Sequence, residues 1–306
     1  LQEPGDSFNV EAYLGKLGKL EEEARSLSNN IRNFLSEVGS NRLIISYNGH
    51  GYLPASCMFW HVVTMDEEKS ILLLDIPSTS LYVLAYRDPI PLIIYASNHS
   101  GLLNILQIAR IMSHPYMALV AKPVDEKVVE VLKSYNIIYT SIDDELDSTL
   151  VMAIAVFHAL ASIYKDRLSR RGVRVFEHSR EGFTLIAEEL IEVYKEIFSK
   201  VSLHRELVVS SSRLMESSAR YLVDALKRRQ VNARYEYPES IPNSADALLI
   251  GTSVEEYYLR ELKSRLALRK TRVSELILNT DPIEANIYLA IIANYLAWST
   301  RYKHNG

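Results

Sequence analysis

The chain has 306 residues, 48% of them apolar, which suits one large or two medium globular domains and excludes a disordered chain. A formal net charge of −4 leaves no global basic field, so no nucleic-acid partner is expected. The single cysteine, Cys57, excludes an internal disulfide and a cysteine metal cluster, and suits a reducing, cytoplasmic setting.

The opening stretch LQEPGDSFNV lacks a basic segment followed by an apolar one, so no secretory signal is expected. Residues 9–37 predict a helix, because Leu14, Leu17, Leu20, Ala24 and Leu27 recur at steps of three and four. GSN at 39–41 ends it. Short apolar runs then alternate with helical patterns. RLIIS (42–46), SILLLD (70–75), PLIIYAS (91–97), YMALVAK (116–122) and NIIYTSI (136–142) predict strands, several of them apolar nearly throughout. Helices are expected near 54–65, 101–112 and 124–134. The apolar run at 149–164 is short for a bilayer and predicts a buried helix over 147–165, so no membrane span is expected. The basic, polar stretch 165–182 reads as a linker before a helix at 181–199. Alternation then resumes. Strands are expected at 206–212, 232–238, 246–253 and 274–280, and helices at 213–228, 254–267 and 282–301. The pattern predicts an N-terminal helical segment (1–40) and two α/β domains (41–166 and 180–306). Each would be a doubly wound, mostly parallel sheet flanked by helices.

Small-polar loops follow several strands. SYNGHGY (46–52) and SNHSG (97–101) do so in the first half, and SSS (210–212) and GTS (251–253) in the second. A loop between a strand's carboxyl end and a helix N-terminus can hold a phosphate, since first-turn N–H groups point out unpaired and the helix dipole is positive there. Ordinary helix capping by Ser and Asn is the alternative reading. Candidate ligand residues are Ser46, Asn48, Gly49, Gly51, Ser97, Asn98, Ser100 and Gly101. His50 and His99 lie in the same two loops, where an imidazole can donate to a phosphate or move a proton near neutral pH. His114, His178, His204 and His304 show no metal spacing, and neither a metal nor a cofactor is expected. The run DDELD (143–147) reads as a charge cluster at a helix start.

The order of elements, the length and the loop positions resemble the double sugar isomerase (SIS) domain proteins, above all the archaeal bifunctional phosphoglucose/phosphomannose isomerases. The likeness covers about residues 40–300. That group's first loop has the form S-G-x-G-G-S-G, and SYNGHGY stands in its place, with Ser46 and Gly49 matching. Its second signature is S-Y-S-G-N-T. Here SNHSGLLN matches at Ser97, and at Ser100 and Gly101 after a two-residue shift.

The resemblance implies a sugar-phosphate ligand and a homodimer, to which the apolar helices 149–164 and 285–298 add support. It also implies a catalytic glutamate on the helix after the second domain's first strand, but Ala225 falls at that position. Asp224 stands beside it, and Glu216 lies about two turns earlier. The ring-opening histidine, expected in a P-E-x-H-H-N stretch, is missing from YPESIPNS (237–244). The resemblance places a further lysine in a C-terminal extension, and RYKHNG is expected to stop short of it. The expected function is therefore sugar-phosphate binding with lost or altered isomerase activity. The alternative is an active aldose–ketose isomerase with a rebuilt site using Glu216, Asp224, His50 or His99. The first loop is expected to be an altered cradle filled by Tyr47 or Tyr52, with the anion site at 97–101.

Overall fold

The computed structural model describes residues 10–123, 125–168, 170–201 and 206–305. The stretch before residue 10 and His204 lie outside the described residues, as does the side chain of His304. The chain divides into two compact units. One is Leu20–Glu181; the other is Gly182–Gly306 together with the chain up to Lys19. The division falls within the first helix, α1 (Val10–Val38), between Lys19 and Leu20. Tyr13, not Leu14, opens its buried stripe, which continues through Leu17, Leu20, Ala24, Leu27 and Ile31.

In the unit Leu20–Glu181, the succession is β1 (Arg42–Asn48), α2 (Tyr52–Met65), β2 (Ser70–Asp75), α3 (Ile76–Tyr82), β3 (Leu92–Ala96), α4 (Leu102–Ile111), β4 (Tyr116–Val120), α5 (Glu126–Leu132), β5 (Ile137–Tyr139), α6 (Glu145–Ile163) and α7 (Arg170–Glu181). All strand pairs are parallel, in the order β2-β1-β3-β4-β5. Every residue of β3 is buried, as a central strand covered on both faces requires. Ile44, Leu92, Ile94, Ala118 and Val120 pack with Leu102, Ile105, Leu106 and Ala109 of α4 in one core cluster.

Two elements differ from expectation. The helix α3 was not foreseen, because STS breaks its apolar pattern. Asp75 caps it, accepting from the Ser78 N–H at 2.7 Å, and Pro77 sits in its first turn, where a missing N–H costs nothing. The expected linker at 165–182 is largely α7. Gly172, Val175 and Ser179 recur at helical spacing and are buried, while the arginines that suggested a solvated connector lie around them. Gly172 is a close-packing glycine here: a Cβ would run into the carbonyls of Arg167 and Tyr164.

The other unit contains α8 (Thr184–Val201), β6 (Glu206–Ser211), α9 (Glu216–Arg228), β7 (Asn232–Tyr235), β8 (Asp246–Thr252), α10 (Glu256–Leu268), β9 (Arg272–Leu278) and α11 (Pro282–Asn305). Its parallel sheet has the order β7-β6-β8-β9. Helix α11 is tied to α9 by the Ser218 hydroxyl, which donates to Asn286 Oδ1 at 2.7 Å, and to the start of α1 by the Tyr13 hydroxyl, which donates to the Ile291 carbonyl at 2.8 Å.

Both long apolar helices are central packing elements of their own units. Residues 146–161 of α6 are all buried, and α6 packs on α2 and α7. Residues 283–297 of α11 are buried, with α9 and α8 against it. Their apolar character is thus accounted for without a second subunit. By length and composition α6 alone among the described residues could cross a membrane, and it is mostly buried within the protein.

Candidate functional site

In the order β2-β1-β3-β4-β5, the strands are added first to one side of β1 and then to the other, so the strand order reverses between β1 and β3, and open α/β sheets take ligands outside the strand carboxyl ends at such a point. The two loops singled out in the sequence leave those two strands. Pairing of Tyr47 with Tyr95 and of Asn48 with Ala96 sets the loops side by side. A single-turn 3-10 helix, Gly49–Gly51, leads into α2, and the loop 97–101 leads into α4.

Asn48 links the loops. Its side-chain amide donates to the carbonyls of Ser100 at 2.8 Å and Asn98 at 3.0 Å, and to Asn98 Oδ1 at 3.1 Å. Asn98 Oδ1 also accepts from the Ser100 N–H at 3.0 Å. The His50 N–H donates to Ser97 Oγ at 2.9 Å, which leaves the Ser97 hydroxyl proton for another acceptor. Gly49 has a φ of +50°, and a Cβ there would strike Ser97 Oγ; a Cβ on Gly51 would strike the Tyr95 carbonyl. Both glycines are therefore required by loop-to-loop packing, whatever else they do. Gly101, at φ +71°, begins α4 with no side chain capping its first turn.

The remaining candidates in this unit divide. Ser46 is fully buried below the loop, and its hydroxyl donates to Thr79 Oγ1 at 2.9 Å. The Tyr47 and Tyr52 rings pack on each other, centroids 4.7 Å apart. The His50 ring nitrogen Nε2 lies 4.0 Å from Glu145 Oε1. Burial lowers the His99 pKa, which favours a neutral imidazole. Glu145 belongs to the DDELD run. Asp144 in that run caps α6, accepting from the Asp147 N–H at 3.0 Å, while Glu145 reaches the first loop. No local pattern marks Glu145 for that place; only the fold brings it there.

The second unit's loops are occupied differently. After β8, the Thr252 N–H and hydroxyl both donate to Glu255, at 3.0 and 3.1 Å, in a closed capping box. After β6, the Ser211 hydroxyl donates to the Ser212 carbonyl at 3.0 Å. Asp224 pairs with Lys227 at 3.1 Å on α9. Glu216 is buried, and both its oxygens accept hydrogen bonds: Oε1 from Arg220 Nε and the Tyr237 hydroxyl, each at 3.0 Å, and Oε2 from Arg213 Nη1 at 3.2 Å. A carboxylate so engaged is a poorly placed base. Its partners were missed in the sequence. Glu216 and Arg220 do stand four apart on α9, a spacing that pairs those two alone, whereas Arg213 reaches Glu216 from the turn before the helix.

Among the described residues no group of three or more His, Cys, Asp or Glu side chains could hold a metal ion.

No family model and no curated protein matches the sequence. Solved structures do match in fold. The C-terminal domain of glucosamine-fructose-6-phosphate aminotransferase from Francisella tularensis superposes with a TM-score of 0.66 at 10% identity, covering 98% of this chain and 99% of that one. Glucosamine-6-phosphate deaminase from Thermotoga maritima gives 0.63 at 10% identity, covering 94% and 95%. Tagatose-6-phosphate ketose/aldose isomerase from Escherichia coli gives 0.62 at 12% identity, covering 97% and 91%. At these identities the likeness is one of fold: two parallel sheets flanked by helices, as in these phosphosugar enzymes.

Proposed function

We propose that the unit Leu20–Glu181 binds a sugar phosphate at the carboxyl ends of β1 and β3, with isomerase activity lost or altered. The observation that carries this reading is the cross-linked loop pair. Asn48 and Ser97 hold two loops together at the sheet's switch point, beside the start of α4, which no side chain caps although the Leu102 N–H donates to the His99 carbonyl. A phosphate would take the Ser97 hydroxyl, the Ser100 hydroxyl and the first-turn N–H groups of α4, which the helix dipole favours for an anion. The fold's occurrence in phosphosugar enzymes supports the ligand class.

Aldose–ketose isomerisation needs proton transfer within hydrogen-bond reach of C1 and C2. Glu216 is held by three donors, and YPESIPNS offers no histidine. The Tyr47–Tyr52 pair fills space at the loop where a sugar ring would lie. One observation favours the second reading, an isomerase with a rebuilt site: an imidazole and a carboxylate, His50 Nε2 and Glu145 Oε1, stand 4.0 Å apart at the same loop. The homodimer, the cytoplasmic location and the kinship to the archaeal phosphoglucose/phosphomannose isomerases belong to this proposal as well.

A thermal-shift series with hexose and aminohexose phosphates tests the binding. A ligand at a hundredfold excess over Kd stabilises by about 2.7 kcal/mol, and Asn48→Ala should remove the part of the shift that this site supplies. No shift with any hexose phosphate would contradict the proposal. A coupled glucose 6-phosphate isomerase assay separates the two readings, since turnover near ~1 s⁻¹ or above lies in the ordinary enzyme range.

A further inference from the structure

The carboxyl edge of the second unit's sheet holds a charged and aromatic cluster that the sugar-phosphate reading does not use. Glu216 lies inside it, its side chain 6% exposed; Arg220 is 43% exposed and Arg213 75%. The guanidinium of Arg213 stands 4.7 Å from the centroid of the Tyr237 ring, and that of Arg220 stands 4.4 Å from the Tyr235 ring. The two tyrosines meet edge to face at 5.6 Å. The Tyr237 hydroxyl donates to Glu216 and accepts from Arg220 Nη2 at 3.4 Å. Ser211, the last residue of β6, lies 3.4 Å from the Tyr235 hydroxyl.

Three features mark this as more than an internal ion pair. One arginine suffices to neutralise one carboxylate, and here there are two. The carboxylate is innermost and the cations outermost, so the net positive charge faces solvent. Each guanidinium is fixed by a hydrogen bond and a ring face, so its freedom is restricted before any ligand arrives. Two neighbouring carboxylates are engaged elsewhere, Glu236 with Arg234 at 3.4 Å and Glu255 with Thr252. The place itself is at the carboxyl ends of β6 and β7 beside the start of α9, on the edge of the sheet from which open parallel sheets take ligands, one strand away from the switch point between β6 and β8.

We propose that Arg213 and Arg220 form an oxyanion site of the second unit, separate from the loop pair around Asn48, and that its ligand is a phosphate monoester. Two planar forks suit a phosphate dianion better than a single carboxylate, which one fork satisfies. Glu216 and Tyr237 act as positioning residues and do not touch the ligand.

The test is calorimetric titration of the full chain with inorganic phosphate, glucose 6-phosphate and acetate at pH 8. The proteins compared are the parent, Arg213→Gln, Arg220→Lys and Asn48→Ala. Arg213 is largely exposed, so its replacement leaves the fold intact. Arg220→Lys keeps a cation beside buried Glu216 while removing the fork. Each of these two variants is expected to weaken one phosphate-binding event tenfold or more with an unchanged Tm. Asn48→Ala should leave that event in place, and acetate should bind at least tenfold more weakly than phosphate. Phosphate affinity and stoichiometry unchanged in Arg213→Gln, or acetate binding as tightly as phosphate, would overturn the proposal. So would loss of all phosphate binding in Asn48→Ala. Equal affinity for the two phosphates assigns recognition to the bare group, whereas preference for the ester extends the same site toward a ring.

Discussion

At Gly51 two requirements meet. The residue starts α2, and its Cα hydrogen faces the Tyr95 carbonyl of the neighbouring strand, so any side chain collides with fixed backbone. Gly51→Ala is expected to cost about 1–3 kcal/mol, the usual range for overpacking, measured by urea denaturation. A cost under about 0.5 kcal/mol would mean that the loops are not packed as described. His158 makes a different prediction. Burial lowers its pKa from 6.5, and Arg25 adds to this, against the opposing pull of Glu21. Its Nδ1 lies 2.8 Å from Ser179 Oγ, and Nε2 lies 3.4 Å from Glu21. The folded chain therefore holds this imidazole neutral, while the unfolded chain takes up its proton near the ordinary value. Its contribution is complete above about pH 6.5 and is lost as pH falls below that, toward the depressed folded value. His158→Gln should flatten the fall in unfolding free energy between pH 7.5 and 5; an equally steep fall in both proteins would contradict it. The sequence showed His158 on an apolar helix, but not the glutamate and serine that face it, because they come from other helices.

At the scale of elements, legibility followed apolar content. The strand β2 has the bounds its apolar run gave, and β3 is its run less one residue at each end. The elements that sequence reasoning lost were those whose stability comes from capping or from a narrow buried stripe. Helix α3 depends on Asp75 at its cap, so Asp75→Ala should cost about 1 kcal/mol by thermal or urea unfolding. Helix α7 buries Val175 completely among exposed arginines. Val175→Asp places an unpaired charge in that position and should cost several kcal/mol, of order 3 or more, whereas a true linker would tolerate it within about 0.5 kcal/mol. The loop pair was legible because glycine, serine and asparagine after an apolar run have few uses. The Arg213–Glu216–Arg220 group was not, because its second half, Tyr235 and Tyr237, arrives from a strand end that only the sheet order brings near.

For the molecule as a whole, two parallel sheets on one chain give two sets of strand carboxyl ends, and side-chain chemistry distinguishes them. The first set presents small polar groups and backbone donors; the second presents arginines on tyrosine rings. Open parallel sheets take ligands outside their strand carboxyl ends, and the residues decide what each end can take. For the first set the proposal is a phosphate seat at 97–101 beside a loop closed by its own tyrosines. A crystal structure of the chain soaked with glucose 6-phosphate measures this directly. Phosphate density is expected within about 3 Å of Ser97 Oγ and the first-turn N–H groups of α4, with the Tyr47–Tyr52 pair unmoved. A hexose ring lying across residues 48–51 with those tyrosines displaced, or no phosphate at 97–101 under saturating ligand, would contradict it.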